Sequence, residues 1–408
     1  MTLSTRTFRH GHAAQGEWHE LTQRVIAQLS AREPPGDSAL VAGLGLLYVT
    51  EGLSDRLPSI ASTLGERFPG VRWVGAAAHG VCVGGAEYAQ EPALVAMICE
   101  LPADSWRVFS GSQRLPAIDS ERSVVGPRTS SALVHADSAS AALPESIAGL
   151  AHRLDSGFLF GGLVGGAESR GPQLAGGVVH GGLSGVAFGA QVHLLSRVTQ
   201  GCAPLSREHI VSACTSHYIE RLDERPALDV LLDDLDVRGA ARDSHDGEEI
   251  LRALPAERLS RGLMIGFAPP EVARGVGFGD YVVRNVLGID PQNRVIAVST
   301  VPRQGDRAVF CTRDQQAARA DLVRVCTELR EELESGELNA LGAHYVSCVA
   351  RGEHLFGATG VELGIIAHNL GEIPLVGFFA NGEIAYDRIY GYTGVLTLFV
   401  EQRNAARI

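Results

Sequence analysis

The sequence predicts an α/β protein of two domains. Repeated strand–helix–strand–strand units should form mixed, largely buried sheets covered by helices. Three observations carry this. A chain of 408 residues exceeds one average core. Its 45% hydrophobic and 20% charged content suits an ordinary globular protein. One glycine signature is written three times, each copy closing an apolar run with Gly-x-x-x-x-Gly: Gly75 to Gly80, Gly161 to Gly166, and Gly377 to Gly382. Glycine past a strand end admits another backbone or a ligand. The three tips are therefore expected at equivalent strand ends, lining a shared cavity.

The elements follow in order. Trp18, Leu21, Val25, Ile26 and Leu29 recur at helical spacing, and Pro34-Pro35-Gly36 stops that helix. The first unit begins with the apolar stretch 40–50, continues with a helix over 56–68, and returns as a strand over 93–101 after its tip. The second begins at 132–135, has a helix over 145–154 with Pro144 in the first turn, and ends with strands including 182–188. Residues 201–205 suggest a crossover between halves, so the boundary is expected within 195–225. A helix over 227–235 follows Arg225-Pro226, and an acidic stretch over 243–249 suggests an exposed loop or helix start. Residues 262–267 suggest a strand; 281–287 and 294–300 alternate like strands about a turn at 288–291. Ala318, Leu322, Val325, Cys326 and Leu329 share one face of the clearest helix, 314–335. The third unit spans 344–399.

Charge and cysteine content narrow the partners. A net charge of −12 argues against nucleic acid and anionic lipid. No run approaches the ~18 apolar residues that span a bilayer. The opening Met1-Thr2-Leu3-Ser4-Thr5-Arg6 lacks a secretory apolar core. A cytoplasmic location is expected, and the seven scattered cysteines, with no Cys-x-x-Cys pair, are expected to be reduced.

Several stretches together resemble the FIST sensory domains. The first half carries Val74-Gly75-Ala76-Ala77-Ala78-His79-Gly80-Val81, Glu87-Tyr88, Glu91-Pro92-Ala93-Leu94 and Phe160-Gly161-Gly162-Leu163. The second half carries Arg225-Pro226-Ala227-Leu228, Val283-Arg284-Asn285-Val286-Leu287-Gly288, Phe310 and Arg313-Asp314. It closes with Ser347-Cys348, Arg351-Gly352, Phe356-Gly357, Pro374-Leu375-Val376-Gly377-Phe378-Phe379, Gly382-Glu383-Ile384 and Gly391-Tyr392-Thr393. The resemblance covers roughly residues 38–400 and implies an extension over 1–35, a FIST N-terminal-like domain over 36–205 and a FIST C-terminal-like domain over 206–408. It implies a small polar ligand, an amino acid among the candidates, bound between the halves and signalled to a separate partner protein. Some members resemble haem-dependent nitric oxide sensors, so haem is the one cofactor it suggests. The chain departs from the family where Gly80-Val81 replaces the usual Gly-Glu.

The candidate ligand-binding residues are His79, Arg284, Asn285, Arg351, Asn381 and Glu383. Glu383, beside a glycine tip, could receive an amine or cap backbone amides. Arg351 could fork onto a carboxylate or form an ion pair, Glu383 being one candidate partner. Arg284 and Asn285 point to opposite faces of one strand. His79 and Asn381 occupy the same slot of the signature, with Gly165 in the other copy. His79 could ligate metal or haem, bond a ligand, or simply bond a carbonyl. His79 with Cys82 invites a nucleophilic dyad, but no orienting partner can be named. Two weaker signals are His10-x-His12, in an end expected to be mobile, and Gly275–Gly279, a phosphate-loop lookalike better taken as a turn. Asp314 is expected to cap its helix. The competing readings are an enzyme using Glu383 or His79 as general acid or base, and a haem-based gas sensor.

Overall fold

The computed structural model describes residues 7–31, 43–102, 104–111, 129–140, 142–165, 171–270 and 281–403. The Pro34–Gly36 break, Gly166 and the Gly275–Gly279 turn lie outside the described residues. The chain forms two compact units, one of Met1–Thr199 with Leu322–Ile408 and one of Gln200–Asp321. The fold is mixed α/β. Among the described residues no helix is long and apolar enough to cross a membrane.

The first unit contains three copies of one pattern. The first copy runs β1 (Phe8–Ala14), α1 (Trp18–Ala31), β2 (Gly43–Thr50), α2 (Leu57–Arg67), β3 (Val71–Ala78), β4 (Gly80–Val83), β5 (Ala86–Tyr88) and β6 (Ala93–Cys99). The second runs β7 (Trp106–Ser110), β8 (Thr129–Asp137), α3 (Leu143–Ala151), β9 (Phe158–Val164), β10 (Gln173–Ala175), β11 (Val178–Val179) and β12 (Leu183–Gly189). Proline stands in the first turn of α2 and of α3, where no backbone donor is needed. The third copy opens with β13 (His193–Gln200) and is then interrupted.

The interruption is the second unit: β14 (Cys202–Pro204), β15 (His209–Thr215), β16 (Tyr218–Leu222), β17 (Arg225–Pro226), α4 (Ala227–Asp234), α5 (Ala240–Asp243), α6 (Gly247–Ala253), α7 (Ala256–Leu259), β18 (Met264–Ala268), β19 (Val282–Asp290), β20 (Val295–Val298) and β21 (Arg307–Arg313). Its strands follow the order β21-β15-β16-β20-β19-β18, and β18 pairs back onto β21, so the sheet closes on itself. Leu228, Leu231 and Leu232 of α4 share its core with Ile219, Ile265 and Phe310. The acidic stretch places Asp246 as the cap of α6, accepting from Glu248 N. Strand β19 runs on through Gly288 to Asp290, later than the expected turn.

The third copy resumes with α8 (Gln315–Ser335), β22 (Leu338–Cys348), α9 (Gly352–Phe356), α10 (Val361–Leu370), β23 (Leu375–Ala380), β24 (Glu383–Ala385), β25 (Arg388–Tyr390) and β26 (Thr393–Gln402). It therefore begins at His193 rather than at His344. The sequence hides this because 121 residues separate Gln200 from Leu322, counting 201 to 321. Asp314 caps α8 as expected, accepting from Ala317 N at 2.7 Å.

The three sheets are ordered β1-β6-β2-β3-β10-β11, β25-β24-β9-β8-β12-β7 and β13-β26-β22-β23-β4-β5. Each repeat keeps its own parallel pair but lends its hairpin to another. Hairpin β4–β5 extends the third sheet core, β10–β11 the first, and β24–β25 the second. The exchange runs in a ring.

The signature glycines are corrected by this geometry. Gly75, Gly161 and Gly377 lie inside β3, β9 and β23, not past their ends. They stand opposite Leu47, Val134 and Tyr345 of the parallel neighbours. A Cβ on any of them would fall onto that neighbour's carbonyl oxygen. Close backbone approach, not a tip, demands glycine here. His10 and His12 are likewise in strand β1, paired antiparallel to β6, rather than in a mobile end.

Among the three sheets Tyr48, His135 and His344 are fully buried. The Tyr48 hydroxyl meets His135 Nε2 at 2.9 Å and His344 Nε2 at 2.7 Å. One O–H can donate to one imidazole and accept from the other, so the two rings need opposite tautomers. Burial holds both imidazoles down to about 3, with His135 adding to the effect on His344. Both are neutral.

Candidate functional site

A cavity of about 850 Å³ lies in the first unit. It is lined from the carboxyl ends of the parallel pairs β2/β3 and β22/β23, by Thr50, Glu51, His79, Val349 and Arg351 among others, and by Glu87 of the lent hairpin. Strand carboxyl ends are where α/β sheets leave room for ligands, because side chains and loops diverge there. The lining belongs wholly to this unit, although it draws on both ends of the sequence.

His79 and Asn381, equivalent in the signature, meet directly. Asn381 Nδ2 donates to His79 Nε2 at 2.6 Å, and His79 Nδ1 lies 3.0 Å from Glu51 Oε1. Both ring nitrogens are thus engaged. Cys82 is buried and its thiol turns to Tyr345 O at 3.9 Å. Burial, then Glu87 and Glu362, push that thiol well up, so no thiolate–imidazole dyad forms.

Arg351 stands between β22 and α9 with a fully buried side chain in the cavity wall. Its ion-pair partner is Glu362 of α10, not Glu383. Nε donates to Glu362 Oε1 at 2.7 Å and Nη1 to Thr199 O at 3.5 Å. Glu362 also accepts from Tyr345 O–H at 2.5 Å and Ser347 O–H at 2.9 Å. Burial alone would lower the guanidinium's pKa; the Glu362 charge outweighs it and keeps Arg351 charged.

Glu383 is fully buried and is not part of the lining. Its Oε2 accepts from Thr393 N at 3.1 Å and Thr393 O–H at 2.7 Å. Burial pushes it up to about 8 despite these bonds and the nearby Arg351 charge. Arg284 and Asn285 lie on β19 of the second unit, opposite Ile265 and Met264. Arg284 Nη1 donates to Val283 O at 2.9 Å, and Asn285 N to Ser299 Oγ at 3.0 Å.

Two residues escaped the sequence reading. Glu87 sits in the family-like Glu87-Tyr88 pair, yet carried no role. Burial, opposed by the Gly360 N–H and reinforced by Glu362 and Glu353, pushes it up to about 7. Glu362 was legible as a lone carboxylate between Val361 and Leu363 in an apolar helix.

Among the described residues no group of three His, Cys, Asp or Glu is placed to hold a metal. Haem does not fit the cavity. Its walls carry Glu51, Glu87, Glu91 and Glu353, which would repel propionates, and offer few apolar side chains for a flat macrocycle. His79 would have to abandon two partners to serve as an axial ligand.

Comparison with known proteins agrees with the architecture. The FIST N domain model matches residues 43–225 and the FIST C domain model residues 227–386. An uncharacterized protein of Mycobacterium tuberculosis is 34% identical over 248 residues, 59% of this chain and 60% of its own length. Another, from Mycobacterium bovis, is 34% identical over 211 residues, half of each chain. The chain thus spans 50–60% of the length of the curated relatives it matches. FIST domains are generally regarded as small-ligand sensory domains of signal transduction. With both domain models matched in order over residues 43–386, the chain belongs to the FIST-domain family.

Proposed function

We propose that this protein is a cytoplasmic sensor that binds a small polar ligand in the cavity of its first unit. It passes the signal to a separate partner protein. The observation that supports this most is the cavity itself, at paired strand ends with a fully buried charged side chain, Arg351, in its wall. His79 and Arg351 contribute to the ligand site, Asn381 holds His79, and Glu383, bonded to Thr393, stands outside the lining. Arg284 and Asn285, in the other unit, form no part of it. The carboxylates of the wall suit a small ligand that carries an amino group. Ligand contacts to first-repeat and third-repeat loops favour one arrangement of those loops, which is the only way binding can bias a signal.

The test is native mass spectrometry of the purified protein, followed by titration of any retained small molecule. His354 lines the cavity and is exposed, so His354→Trp should obstruct the site without unfolding the chain. The expected result is binding by the wild type and a loss of at least about tenfold in the variant, roughly 1.4 kcal/mol. Unchanged binding by His354→Trp removes the cavity from the function.

A further inference from the structure

The charges around the cavity do not balance, and this sharpens the reading of it as a ligand site. Its one guanidinium, Arg351, is already neutralised by Glu362, itself buried and holding two hydroxyls besides. Glu51 is bonded to His79 Nδ1. Glu87, Glu91 and Glu353 remain, and among the described residues no salt bridge neutralises any of them. An anion entering here would meet three carboxylates and would have to win Arg351 from a buried partner.

Glu87 adds an independent observation. Its Oε1 is buried and takes no hydrogen bond, while the Gly360 N–H serves the carboxyl group. A buried acceptor left unpaired is costly, and a donor supplied by a ligand relieves that cost. The donor that also answers the surplus negative charge is an ammonium group, through a charge-assisted hydrogen bond. The lent hairpin holds Glu87 in place: β5 pairs with β4 at Cys82 opposite Glu87, and β4 pairs with β23.

We propose that the cavity is a receptor for a cationic amine, whose ammonium group is held by Glu87 with Glu91 and Glu353 as flanking carboxylates. This rests on the cavity being the ligand site, and it selects amines without a carboxylate over anions and zwitterions.

Isothermal titration of the full chain with 1,4-diaminobutane, glycine and butanoate tests it. The diamine should bind, butanoate should not, and glycine should bind more weakly than the diamine. Glu87→Gln should weaken the diamine about ten- to hundredfold. Should Glu87→Gln fail to fold, Glu353→Gln, at an exposed position, should still weaken the diamine several-fold. Butanoate or glycine binding more tightly than the diamine overturns the amine assignment and leaves the cavity as a ligand site. Diamine affinity unchanged in both variants overturns the assignment as well. Diamine affinity unchanged in His354→Trp overturns the cavity reading itself.

Discussion

In the first unit His135 and His344 share one tyrosine hydroxyl; in the second, His209 stands between two carboxylates. All three imidazoles are buried. His209 Nδ1 lies 2.7 Å from Asp223 and Nε2 2.8 Å from Asp234, so only the doubly protonated ring satisfies both. Burial opposes its charge, but the bonds to Asp234 and Asp223 win and raise its pKa. Around Tyr48 nothing opposes burial, and the rings stay neutral. The difference teaches that burial sets the cost of a charge, while the partners decide whether it is borne.

The largest test of the contrast targets the backbone of the first unit. Gly377→Ala places a methyl group on the Tyr345 carbonyl oxygen. We expect loss of the folded state, more than about 5 kcal/mol, seen as absent cooperative unfolding in denaturant. A well-folded alanine variant would show that the parallel pairs can part.

Next comes the buried ion pair. Glu362→Gln leaves the Arg351 charge uncompensated in the core, and should cost about 3–5 kcal/mol by chemical denaturation. A loss under about 1 kcal/mol would mean that solvent reaches Arg351.

The titration is smaller per pH unit and has opposite signs in the two units. His135 and His344 have folded pKa values below the ordinary 6.5. Their contribution is present above 6.5 and is lost as pH falls towards 3, by about 1.4 kcal/mol per pH unit for each ring. His209 has a raised folded pKa. Its contribution is present below 6.5 and is lost as pH rises through the folded value. Hydrogen exchange between roughly pH 5 and 9, resolved by unit, should show protection in the first unit falling on the acid side and in the second on the alkaline side. Loss in the same direction in both would break the comparison.

Much of this architecture was legible from the chain. Gly75, Gly161 and Gly377 announced three repeats, because a steric requirement that strict writes the same residue each time. Helix α3 began at its Pro144 turn, and Asp314 capped α8. What stayed hidden was non-local. Nothing near Gly80 says that β4 pairs with β23, and nothing in 201–321 marks it as an interruption of a repeat. In the candidate site, glycine neighbours pointed to the bonded pair His79 and Asn381, but the partner of Arg351 lay on a helix whose apolar pattern drew attention away from Glu362.

The ring of lent hairpins has a consequence for how the protein is made. Residues Gly80–Val83 leave the ribosome early, yet their partners Val376–Phe379 come nearly three hundred residues later. The first sheet waits for the second repeat's hairpin and the second sheet for the third's, while the first repeat's own hairpin waits for β23. A nascent or truncated chain lacking the third repeat would therefore carry the β4–β5 hairpin as an unpaired edge. The wall built from Val349, Arg351 and Phe379 would be missing, and the arrival of the third repeat becomes the event that creates the cavity.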